Sequence, residues 1–290
     1  MTSAGSPTSG AEGTSVTRVV RPSHGGAFEV DYLRAAQPSG NLPLVLVPGA
    51  GGPAGTFHHQ SRAFAEDRDV LATNLNPAKA SKIGSVESGV LDVLHVLDEF
   101  GVERCDIIGA SFGSCVTSRL TAEHPDRVRS QILVAPPVVR YGPWLGSFGP
   151  GWLYGGALMK FAPERYRGQV ARHLARGRIY APEPDLDEQE FRLLAARVSD
   201  TALSPFFHRL TGLLRWDWGV LEAPAARPTL VIQGRVEHAS TPPDVLETLA
   251  RLSGRPIAIM GGRHMPYLHF PEEFNGIARG FLAGVSAPIA

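Results

Sequence analysis

The stretch that most constrains the fold runs from Cys105 to Ser114 and contains Gly109-Ala110-Ser111-Phe112-Gly113. Residues 105–108 form a brief apolar run bounded by turn residues, which predicts a buried strand. After Ser111, the spacing of Val116 and Leu120 predicts a helix that ends by Pro125. Strand, tight turn carrying a serine, then helix is the context of a nucleophile elbow. The serine backbone there is strained, so that its hydroxyl stands out at the top of a sheet. Positions two before and two after must lack bulk, because strand and helix pass close together. Glycines occupy both.

The rest of the chain predicts a sheet that can hold such an elbow. Residues 16–20 and 27–35 alternate as two early antiparallel strands around His24-Gly25-Gly26. Residues 42–47 form a strong buried strand ending in the flexible Pro48-Gly49-Ala50-Gly51-Gly52. A helix over 56–65, a strand over 69–73 and an amphipathic helix over 86–100 follow. The elbow comes next, then a strand over 129–135. From 138 to 224 strand-like alternation stops, and short helical pieces are broken by Gly and Pro. All four tryptophans lie in this insert, at Trp144, Trp152, Trp216 and Trp218. The rhythm then returns with strands over 229–233 and 256–260 and helices over 242–252 and 271–282. Alternating strands and helices imply a mostly parallel central sheet with helices on both faces. The domain plan is a core over 16–137 and 225–290, an inserted helical lid over 138–224 and a tail over 1–15. The tail is too poor in large apolar residues to order itself. The insert is expected across the carboxyl ends of the strands, where open α/β sheets bind ligands.

Composition removes several function classes. With 28 basic and 28 acidic residues the charge balances, which suits neither nucleic acid nor an anionic membrane surface. Cys105 and Cys115 flank the elbow and read as buried free thiols, consistent with a reducing compartment. No apolar run is long enough to span a membrane, and the first residues lack the pattern of a signal peptide. The expected location is the cytoplasm. Arg supplies nearly all the positive charge, and Ala, Gly and Pro are abundant, as in a bacterial chain of high GC content.

A serine hydroxyl is a poor nucleophile near neutral pH and needs a base, which in turn needs a carboxylate to orient it. The acid is expected after the strand at 229–233, where Gly234-Arg235-Val236-Glu237-His238 offers Glu237. Asp244 is the fallback, inside the following helix. The base is expected after the strand at 256–260, where His264 follows Gly261-Gly262-Arg263. His238 and His269 are the other imidazoles nearby. The backbone N–H groups of Phe112 and Ala50 are the expected oxyanion donors. The 49–52 loop lacks the Lys and spacing of a phosphate-binding Walker loop, and no dinucleotide fingerprint is present. No cofactor and no metal is called for.

With these residues in view, the chain resembles the α/β-hydrolase superfamily from about 42 to 282. The carriers are Pro48-Gly49-Ala50-Gly51-Gly52, Gly109-Ala110-Ser111-Phe112-Gly113, Gly234-Arg235-Val236-Glu237 and the run from His264 to Asn275, with its Pro271-Glu272-Glu273-Phe274 helix start. The resemblance implies Ser111 as nucleophile, His264 as general base, Glu237 as orienting acid and a helical lid over 138–224. Three positions depart from the family pattern. Pro48 stands for a loop His, Glu237 for the commoner Asp, and Ser114 for a second Gly. A Ser nucleophile disfavours the epoxide hydrolase and haloalkane dehalogenase branches.

The expected activity is acyl transfer to water on an ester, thioester or lactone of an apolar small molecule. Gly49, Trp144, Trp152 and Trp216 are the expected substrate contacts, although rings in the insert also suit packing it onto the sheet. A cyclase or lyase with His264 as base, and a non-catalytic binding protein, are the alternatives. The natural substrate and the oligomeric state are not legible.

Overall fold

The alternation of buried side chains along each strand decides how the layers assemble. In the computed structural model, residues 15–50, 53–76, 85–137, 209, 213 and 227–286 are described. Along β3 (Leu44–Val47), Val45 and Val47 join one apolar cluster, while Leu44 and Leu46 join another. Along β5 (Cys105–Ala110), Cys105 and Ile107 face the first cluster, and Ile108 and Ala110 the second. A strand buried on both faces needs helices on both faces. The first is covered by α2 (Ser85–Glu99), with Val90 and Leu97, and by α3 (Phe112–Glu123), with Val116 and Leu120. The second is covered by α1 (His58–Phe64), with Phe64, and by α7 (Pro271–Ser286), with Phe274 and Leu282. Each such side chain, withdrawn fully from water, contributes about 1.5–3 kcal/mol before entropy is counted.

The remaining strands are β1 (Ser15–Val20), β2 (Phe28–Leu33), β4 (Val70–Thr73), β6 (Val128–Val134), β7 (Thr229–Gly234) and β8 (Ala258–Met260). The sheet order is β1-β2-β4-β3-β5-β6-β7-β8. β1 and β2 form an antiparallel hairpin, and β2 pairs antiparallel with β4. From β4 to β8 every pairing is parallel. The chain therefore steps outward from β3 to β4, then crosses back to β5 on the other side. This reversal opens a crevice at the carboxyl ends of β3 and β5, where an open sheet accepts a ligand.

The expected strands and helices are present, with shifted ends. The strand at 105–108 continues to Ala110. The helix expected over 56–65 begins as a 3-10 turn, Ala54–Phe57, before α1. The turn read at 234–238 is instead a short helix, α4 (Arg235–Ser240). Its N-cap is Gly234 with no side-chain cap, so no local signal marks its start. α5 (Pro243–Ser253) contains Asp244 in its first turn, as read, and α6 (Pro266–His269) leads into α7. The tail expected at 1–15 lies outside the described residues except for Ser15, which opens β1. Of the insert expected at 138–224, only Arg209 and Leu213 are described, both buried. Among the described residues, no helix is long and apolar enough to cross a membrane.

Candidate active site

The turn from β5 into α3 is held in a conformation that an L-residue resists. Ser111 has φ 51° and ψ −120°, in a region that costs about 1–3 kcal/mol for a side-chain-bearing residue. Its surroundings fix it there. Ser111 N–H donates to Val134 O at 2.8 Å, and Ser114 N–H donates back to Ser111 O at 2.8 Å. Ser114 Oγ donates to Gly109 O at 2.7 Å and lies 3.2 Å from Val134 O. The residue that departs from the family's usual glycine is thus a brace across the elbow. The two motif glycines are required by space. A Cβ at Gly109 would stand 2.4 Å from Gly113 O, and one at Gly113 would stand 2.3 Å from Val47 O. Both are far inside contact distance.

The loop after β3 abuts this turn. A Cβ on Gly49 would be 3.2 Å from Ser111 Cβ and 3.8 Å from its Oγ. Gly49 therefore lies beside the serine, and the next residue, Ala50, is buried. Phe112 is the first residue of α3, and its N–H is one of the helix's free N-terminal donors. That end carries the positive side of the helix dipole. Farther along the loop, His58 Nδ1 donates to Gly55 O at 3.1 Å, and the His58 and His59 rings lie 3.8 Å apart.

Glu237 and His264 come from the opposite side. Glu237 stands in the first turn of α4, just past β7. His264 follows β8 by four residues, after Gly262 at φ 95°. Strand-to-strand spacing of about 4.8 Å would leave a residue above β8 three strands away from β5. The loop turns back over β7 instead. A Cβ on Gly234 would meet Arg263 O at 2.0 Å, and Val236 N–H donates to Gly262 O at 3.2 Å. This close crossing, possible only above a glycine, brings His264 Nδ1 to 2.9 Å from Glu237 Oε1. Both side chains are partly buried. Burial alone would pull the His264 pKa down. The Glu237 carboxylate, by its charge and by its hydrogen bond, outweighs that and leaves the pKa above the ordinary value. With Nδ1 engaged, Nε2 is the ring nitrogen left to exchange a proton. Among the described residues, no hydrogen bond joins His264 to Ser111.

The two cysteines beside the elbow are buried free thiols. Burial, then the charge of Asp106, pushes the Cys105 thiol up to about 12, and burial raises Cys115 well above its usual range. Neither supplies a thiolate near neutral pH. Trp144, Trp152 and Trp216 lie outside the described residues. Two residues that carry no motif also reach the site. Asn74 Oδ1 accepts the Ala54 N–H at 2.7 Å, and Arg209 donates to Ala50 O at 2.7 Å. The only trace of Arg209 in the sequence is a single cation between Phe206-Phe207-His208 and Leu210.

Comparison with known proteins agrees with this architecture. The putative carbamate hydrolase RutD of Stutzerimonas stutzeri is 33% identical over 94 residues, 31% of this chain and 36% of that protein. This match spans about a third of the relative's length. The 2-hydroxymuconate semialdehyde hydrolase of Pseudomonas sp. strain CF600 is 27% identical over 270 residues, covering 85% of this chain and 88% of the relative. An esterase from Exiguobacterium antarcticum superimposes with a TM-score of 0.74 at 15% identity, covering 92% of this chain and 100% of the esterase. The model of the alpha/beta hydrolase fold matches residues 43–271, from just before β3 to the first residue of α7. The chain belongs to the α/β-hydrolase family.

Proposed function

We propose that this protein is a serine hydrolase acting on an ester, thioester or lactone of an apolar small molecule. The observation that carries the reading is the Glu237–His264 hydrogen bond of 2.9 Å at the sheet edge that also holds the strained Ser111. In the proposed cycle, His264 Nε2 takes the Ser111 hydroxyl proton as Oγ attacks the substrate carbonyl carbon. The Ala50 and Phe112 N–H groups receive the oxyanion. The tetrahedral adduct collapses, its bond to the leaving group breaks, and His264 returns the proton to the departing alcohol or thiol. A water then gives a proton to His264 and attacks the acyl carbon, releasing the acid and restoring Ser111. Glu237 stays ionised throughout and keeps the Nδ1 proton in place. The proposed cycle requires His264 Nε2 to come within hydrogen-bond reach of Ser111 Oγ as substrate binds.

The esterase and hydrolase names of the relatives support a small-molecule substrate. Gly49 leaves room for the substrate carbonyl. Trp144, Trp152 and Trp216 are proposed to face its apolar part from an insert, 138–224, that serves as lid. The assignment is tested with a fluorophosphonate probe and nitrophenyl esters. Labelling is expected at Ser111, and S111A is expected to lose both labelling and turnover. Full ester turnover by S111A would overturn the reading.

A further inference from the structure

Arg209 belongs to none of the sequence motifs, yet its guanidinium is buried beside the loop after β3. Nη1 donates to Ala50 O at 2.7 Å, and Nη2 donates to Asn76 O at 2.9 Å and Leu75 O at 3.2 Å. These carbonyls belong to two loops, one after β3 and one after β4, which are neighbouring parallel strands. A second tie between the same loops is the Ala54 N–H to Asn74 Oδ1 bond of 2.7 Å. Ala50 and Ala54 are thus both tied to the residues that follow β4.

A buried guanidinium is expensive unless its donors are satisfied. Burial lowers the Arg209 pKa to about 10, and the negative charge of Asp92 opposes that fall, so the group stays cationic at neutrality. Asp92 is held by His24 Nε2 at 2.8 Å and by Asn76 Nδ2 at 3.2 Å. The guanidinium is therefore anchored by three backbone carbonyls, and the nearby held carboxylate only favours its charge.

We infer that Arg209 is a positioning residue, which holds the Ala50 peptide so that the Ala50 N–H is aimed at the oxyanion before reaction begins. The inference rests on Ser111 acting as nucleophile. Two peptide planes meet at the Ala50 Cα, and holding one by its carbonyl leaves the other few allowed orientations. A donor fixed in advance needs no reorganisation when charge develops, which is where oxyanion donors gain their effect. Lysine cannot replace this contact fully, since one ammonium lacks the planar fork that spans two loops.

The test compares R209A and R209K with the wild-type protein on a short nitrophenyl ester, counting active sites by fluorophosphonate labelling. R209A is expected to lower kcat per labelled site by about 10- to 100-fold, less than or equal to the loss of one oxyanion donor. KM is expected to stay within about threefold, because the loss lies in the transition state. Affinity for a trifluoromethyl ketone, which mimics the tetrahedral adduct, is expected to fall by the same factor as kcat/KM. Added guanidinium ion is expected to restore part of the R209A rate, and R209K to fall between the two. A merely structural role would reduce the number of labelled sites and leave kcat per site unchanged, which would overturn the inference. If R209A does not fold, R209K decides, and wild-type kcat per site in R209K overturns it. S111A separates the two levels. Full turnover in S111A defeats the serine mechanism itself, whereas an inactive S111A beside unimpaired Arg209 variants defeats only the role of Arg209.

Discussion

The two ends of β5 are built on opposite plans. At its start, Asp106 is fully buried and saturated with donors. Arg68 Nη1 approaches at 3.1 Å, Arg129 Nε at 2.9 Å and Ser130 Oγ at 2.6 Å, and Arg129 Nη2 completes the set. Five residues later, Ser111 sits at a φ of 51° with its hydroxyl beside Gly49. One end is relaxed and fully paired. The other is strained and poised. Removing a polar group from the first leaves charges without their partner, whereas removing the hydroxyl from the second leaves the fold intact. Stability and chemistry are thus separated along a single strand, and substitutions at the two ends should move different observables.

The largest expected effect is at the serine. S111A should lower ester turnover by roughly four to six orders of magnitude, measured at saturating substrate, with an unchanged unfolding midpoint. E237Q should follow, with a fall in kcat of about 10²- to 10⁴-fold. Its pH profile sharpens the point. A base must be unprotonated, and the His264 pKa is raised, so the acid limb of the wild-type profile should lie above the ordinary histidine value of about 6.5. Without the Glu237 charge only burial acts, and the limb should move to lower pH. The linked stability runs the other way. His264 contributes stability that is fully present below its unfolded pKa and is lost as pH rises through the raised folded pKa. A urea series across that window should show this dependence in wild type and not in E237Q.

D106N tests the relaxed end. It should cost about 3–5 kcal/mol in urea unfolding, because Arg68 and Arg129 lose the carboxylate they neutralise. Turnover per labelled active site should not change. A fall in kcat per site would break the separation argued above. A smaller change in stability is expected for S111G, which, inactive like S111A, should be more stable than wild type by about 1 kcal/mol through release of the positive-φ strain. A decrease in stability would mean that the strain at Ser111 is smaller than its geometry implies.

The layers and the elbow were legible because each rests on a local rule. The apolar run before Gly109, the small residues around Ser111 and the helix pattern after it all act within a dozen residues. Glu237 and His264 were legible as candidates because each follows a readable strand. The contact that brings them together was not. It depends on the Gly262–Arg263 backbone crossing Gly234, nearly thirty positions away, which no periodicity records. Arg209 escaped for the same reason, since its partners Ala50, Leu75 and Asn76 are more than a hundred residues upstream. In the sequence Ser114 only replaces a second glycine, and its bonds to Gly109 O and Val134 O are what reveal the brace.

The clamp on Ala50 also bears on how such a scaffold can be re-aimed. The groups proposed to act on the substrate carbonyl all come from 50–112 and 237–264, so the proposed insert at 138–224 is a natural cassette to swap when a different substrate is wanted. The graft is not wholly free, however. An incoming segment that brings no cation to the carbonyl of residue 50 would inherit the nucleophile with its aim left loose, and a chimera could bind its new substrate well yet turn it over slowly.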